Sequence, residues 1–169
     1  MRPSDLRRRL GSRAVLMLAV VAALAMVGTA LATTPLGIVV TTFVRAPLDT
    51  DRSNGGVKAS ADDVQLHTKG ATDVAVQTIV SPRGGSSGWH THPGVVVVAV
   101  KSGTVTLYDH ECHTTEYGPG QAFLEVGDEP LLVRNETDSD AVLYVTLIFP
   151  KSATSLRIEQ PQPAGCAAH

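Results

Sequence analysis

The stretch Gly84-Gly85-Ser86-Ser87-Gly88-Trp89-His90-Thr91-His92-Pro93-Gly94, followed by the run Val95 to Val100 and the turn Lys101-Ser102-Gly103, decides how this chain is read. Side chains two apart on a strand share a face, so His90 and His92 can present both imidazoles to one point. Neutral imidazoles suit divalent transition metals, which makes the pair a candidate metal site. A lone H-x-H is weak evidence. Here a glycine-rich turn precedes it, Pro93-Gly94 follows it, and Gly103 closes an expected hairpin between the apolar run and Thr104 to Tyr108.

Outward from this stretch the pattern is period two. Val64, Leu66 and Thr68 alternate with polar neighbours, and Val74, Val76, Thr78 and Val80 do the same. Gly37 to Arg45 reads as a first strand, rich in β-branched residues. Further strands are expected at Gln121 to Val126, Leu131 to Arg134 and Ala141 to Phe149, the last ended by Pro150. Asp49 to Asp63 (with DTDRSNGG and SADD) and Asp109 to Gly120 lack an apolar period and are expected to be surface loops. About eight short strands without intervening helices predict an all-β, single-domain antiparallel barrel or double-sheet jelly roll. Strand pattern alone leaves an immunoglobulin-like sandwich open, and the histidines favour the barrel.

Gly84, then five residues, then His90-Thr91-His92, with Gly103 beyond, resembles the first motif of the cupin superfamily, G-x5-H-x-H-x3-E-x6-G. Gly118 to Glu125 (GPGQAFLE) and Val133-Arg134-Asn135 are similar to its second motif. The resemblance covers roughly Gly37 to Ile158 and is greatest to short, single-domain exported cupins. It implies a jelly-roll barrel with a metal site in its interior.

Two departures weigh against such a site. The position where the resemblance implies a glutamate ligand is Val96, and that of the third histidine is Leu131. Neither apolar side chain can bind an ion. Two imidazoles alone would leave a divalent metal coordinated mostly by water, so binding is expected to be weak, with less than one ion per chain and no resident cofactor. Glu125 stands where related barrels often carry an acid that is not a ligand. Asp109, His110, Glu111 and His113 in the long loop, and Glu125 itself, are the residues that could complete a metal shell, while His110, Glu111 and His113 otherwise read as solvated loop residues. Glu125 and Trp89 are pocket candidates, His67 is expected to face solvent, and no catalytic residue is assigned. No G-x-S-x-G elbow or phosphate loop occurs.

The first thirteen residues carry Arg2, Arg7, Arg8, Arg9 and Arg13, and Ala14 to Ala32 is a run of nineteen uncharged residues. Residues 1–32 therefore read as an export signal, cleaved after Ala-Leu-Ala, or as an uncleaved anchor, since about 20 apolar residues span a bilayer. The Arg cluster places the remainder outside the cytoplasm, secreted or in the cell envelope. Removing residues 1–32 takes away five Arg and one Asp and moves the formal charge from −2 to −6. No basic cluster then remains, which excludes nucleic acid and leaves the N-terminal segment as the only membrane contact. In an oxidising compartment Cys112 and Cys166 are expected to form a disulfide.

The expected organisation is a signal or anchor over 1–32, a cupin-like barrel over 33–158 and a tail over 159–169. The expected function is a small-molecule-binding or structural barrel, with a homodimer as a further expectation. The alternative is a metal-dependent oxygenase or isomerase using His90, His92 and an unidentified third ligand.

Overall fold

The computed structural model describes residues 31–48 and 55–166. The expected signal or anchor lies outside them, except for its last two residues. Among the described residues there is no helix, and so none long and apolar enough to cross a membrane. The strands are β1 (Val39–Pro47), β2 (Lys58–Ala61), β3 (Val64–His67), β4 (Thr72–Ser81), β5 (His90–Thr91) and β6 (Val95–Ser102). They continue with β7 (Val105–Tyr108), β8 (Thr114–Tyr117), β9 (Ala122–Glu125), β10 (Leu132–Arg134), β11 (Ala141–Pro150) and β12 (Ile158–Glu159).

One layer is a five-stranded antiparallel sheet in the order β1-β4-β11-β6-β9. The other is built on β10-β7-β8. It continues across β10, where Ser86 bridges Arg134 and His90 bridges Leu131, to β5 and then to β12. Strand alternation fills the space between the layers. Along β11, Ala141, Leu143, Val145, Leu147 and Phe149 are buried while the residues between them turn outward. Val96, Val98 and Val100 of β6, Phe123 of β9 and Val133 join them in one core.

Three expectations change. The segment Val95 to Tyr108 is not a hairpin, because β6 pairs with β11 and β9 whereas β7 pairs with β10 and β8. Gly103 instead passes the chain from one layer to the other. Its φ is +73°, and a Cβ there would lie 2.5 Å from the Asp140 carbonyl oxygen. The second change lies in the expected loop Asp49 to Asp63, where β2 pairs with β3. The third lies in Asp109 to Gly120, where β8 pairs with β7. β2 and most of β8 are exposed, so neither carries the apolar alternation that marks a half-buried strand.

Asn135 closes the architecture at the end of β10. Its buried amide donates to the carbonyls of Ser81 and Ser139, and its oxygen accepts from Thr137. Every polar atom of a fully buried side chain is thereby used.

Candidate metal centre

β5 is two residues long, yet both its edges are held. The backbones of His90 and Leu131 exchange two hydrogen bonds, at 2.9 and 3.0 Å. On the other edge Thr91 faces Ile158 and His90 faces Glu159. His90 and His92 project from this fixed segment to one point, their ring centroids 4.8 Å apart. His90 Nδ1 lies 2.9 Å from the Gly88 carbonyl and His92 Nδ1 lies 2.6 Å from the Leu156 carbonyl. A carbonyl only accepts, so each Nδ1 carries a hydrogen and each neutral ring keeps the lone pair on Nε2.

Those two Nε2 atoms meet a carboxylate. Glu125 Oε2 is 3.0 Å from His92 Nε2 and 3.9 Å from His90 Nε2. In the β6–β9 ladder Glu125 is the direct partner of Val96, so the two project to the same face. The carboxylate missing at Val96 is thus supplied by its neighbour across the strand. His90, His92 and Glu125 form the one group among the described residues whose donor atoms could hold a metal, all within 4.8 Å of one another. Of the residues that could complete the shell, this register brings Glu125 to the two histidines, where it could serve as the third donor. Leu131 supplies backbone to His90 and packs its side chain on the main core, where Val96 is also buried.

Burial sets the electrostatics. His90 and Glu125 are 4% and 5% exposed. Desolvation pushes His90 down to about 4, against the opposing pull of Glu125, with Arg157 and His92 adding to the lowering. His90 is therefore neutral and ready to ligate at neutral pH. His92 Nε2 is buried and has no hydrogen-bond partner. With its hydrogen committed at Nδ1, a neutral His92 sets a lone pair against a carboxylate oxygen at 3.0 Å, a contact that only a cation or an added proton makes attractive. Two imidazoles and one carboxylate are a donor set suited to iron, manganese, nickel or zinc. The residues fit such an ion.

Beside the three donors lies a cavity of about 170 Å³, lined by apolar side chains including Ile79, Val98, Leu143, Val145 and Leu147, and by Arg157. Leu156 and Arg157 come from the segment after β11, where no sequence pattern marked them. Arg157 Nε and Nη2 are buried without a hydrogen-bond partner. Burial lowers the Arg157 pKa, opposed by the attraction of Glu159 and Glu125.

Trp89 is not among the residues lining this cavity. It is 1% exposed and packs with Tyr108, Leu132 and Cys166 in a second cluster. Cys112 and Cys166 are bonded, with Cα atoms 5.3 Å apart. His110 pairs with Glu129, His113 faces Asp109 and Glu111, and His67 is exposed, so these histidines stay outside the centre.

The family model for the cupin domain matches residues 77–147, which include His90, His92 and Glu125. No curated protein matches the chain. Similar solved structures include a conserved protein of unknown function from Streptococcus pyogenes, at 14% identity and TM-score 0.46, covering 68% of this chain and 76% of that one. A cupin 2 conserved barrel domain protein from Salinispora arenicola is 14% identical with TM-score 0.47, covering 68% and 77%. A DMSP lyase from Ruegeria pomeroyi is 16% identical with TM-score 0.44, covering 50% and 42%. The match to residues 77–147 and the all-β double-sheet architecture agree with each other, and together they support a member of the cupin superfamily.

Proposed function

We propose that this chain is an extracytoplasmic cupin that holds a divalent transition metal with His90, His92 and Glu125, and that a small ligand reaches that ion through the apolar cavity. The observation that carries this reading is the buried contact between His92 Nε2 and Glu125 Oε2, two acceptors 3.0 Å apart. Without a shared proton, burying the two groups unpaired costs about 1–3 kcal/mol each, and a metal ion between them removes that cost. Three protein donors leave an ion's remaining coordination positions to water or ligand. The bound ion would supply a Lewis acid. The chain's own groups would orient the ligand and exclude water from the apolar wall.

The enzymatic form of this reading is metal-dependent conversion of a small molecule, as in an oxygenase or isomerase. Glu125 moves the balance toward it, because two imidazoles alone would bind an ion too weakly to support turnover. The disulfide supports an oxidising compartment, in keeping with the uncharged N-terminal run.

The test is metal stoichiometry. Protein stripped with chelator and then dialysed against manganese, iron(II), nickel or zinc should retain one ion per chain and unfold at a higher temperature. Glu125→Ala should lose the ion. Retention well below one per chain for every metal would sink the proposal.

A further inference from the structure

The metal reading leaves Arg157 without a role. It lines the same cavity as His90, His92 and Glu125, on a wall that is otherwise largely apolar. Its Nε and Nη2 are buried and unpartnered. Salt bridges within 4.0 Å join other described pairs, such as Arg45 with Asp73, but none involves Arg157. Glu159 and Glu125 attract its charge, and neither hydrogen-bonds its Nε or Nη2. An ion at the centre would draw on the charge of Glu125 and leave Glu159 as the main acid attracting the Arg157 charge, with the buried Nε and Nη2 still unpartnered. A guanidinium offers a planar fork of donors that matches a carboxylate, and charge-assisted bonds of this kind are the strong ones.

We infer that the cavity takes a small carboxylic acid with an apolar body, and that Arg157 is the group that selects the acid over its neutral analogues. The volume of about 170 Å³ suits a body of a few carbon atoms or a single small ring. The apolar lining takes its body, and Arg157 takes one carboxylate. The position of Arg157 is built into the fold. Leu156 before it gives its carbonyl to His92, Ile158 and Glu159 after it pair with β5, and Cys166 bonds the same segment to Cys112. The segment after β11 therefore contributes both to orienting a metal donor and to recognising the ligand.

This inference rests on the proposed function, in that it names the ligand class of the same site. The probes are isobutyrate and isobutyramide, which share shape and differ in charge, titrated by calorimetry into zinc-loaded protein. The wild type should prefer the acid. Arg157→Gln should weaken isobutyrate about tenfold or more and change isobutyramide less than twofold, with Arg157→Lys in between. The amide reports on the integrity of the cavity in each variant, and a Gln variant that does not fold is replaced by Arg157→Lys, whose partial loss must still be confined to the acid. Equal affinity for acid and amide in the wild type overturns the inference, as does an Arg157→Gln variant that loses both alike or neither. If the wild type retains no zinc, the metal reading has failed, and the same comparison in metal-free protein then tests Arg157 alone.

Discussion

Each imidazole of the centre spends its Nδ1 hydrogen on a backbone carbonyl, Gly88 for His90 and Leu156 for His92, so the backbone fixes which nitrogen is free. The lowered pKa of His90 has a consequence for the metal-free protein. Its folded value is about 4 and its ordinary value 6.5, so between these the unfolded chain binds a proton that the native one refuses. The stabilisation is complete above pH 6.5 and disappears as pH falls through about 4. In chelator, the wild type should lose roughly 2–3 kcal/mol more between pH 7 and 4.5 than His90→Gln. Urea unfolding at the two pH values measures it, and an equal acid response in both proteins would count against a buried neutral His90. The histidine pair was legible in the sequence because strand geometry alone aims residues two apart at one point. Glu125 was visible as an acid in a strand, but its role depended on register. A slip of one residue would turn it to solvent, and nothing in the sequence sets the pairing of Glu125 with Val96.

The turn at Gly103 and the segment after β11 decide how the elements meet. Gly103→Ala places a Cβ 2.5 Å from the Asp140 carbonyl at a φ of +73°, so it should destabilise by about 2 kcal/mol or more in denaturant titration. A neutral result would mean that this crossing is looser than the packing around it implies. The disulfide spans 54 residues and ties the segment bearing Leu156 and Arg157 to the loop between β7 and β8. In the chain-entropy model this closure is worth about 4 kcal/mol. Cys112→Ser with Cys166→Ser should lower Tm by roughly 10 °C and also weaken zinc binding, because the carbonyl that orients His92 sits on the released segment. A Tm loss with zinc affinity unchanged would separate the strap from the centre. The disulfide could be expected from two thiols in an exported chain. β2, β8 and β12 could not be read, because two are largely exposed and polar and β12 is only two residues long.

At the scale of the molecule, two layers of strands enclose the main core, and the polar centre sits against that core with a small apolar cavity beside it. The alternation of β4, β6 and β11 made this architecture readable, since five of the ten residues of β11 are buried in strict period two. What the pattern could not supply was the passage of the chain between layers, which turns an apparent hairpin into a crossing at Gly103. The donors likewise come from two separate places, β5 with the residue after it and the end of β9, and a third, the carbonyl of Leu156 after β11, orients one of them. Anomalous diffraction from a crystal grown with zinc tests their convergence most directly. One peak is predicted, about 2.0–2.2 Å from His90 Nε2, His92 Nε2 and a Glu125 carboxylate oxygen. No peak there, or density only at His110 and His113, would contradict the metal centre.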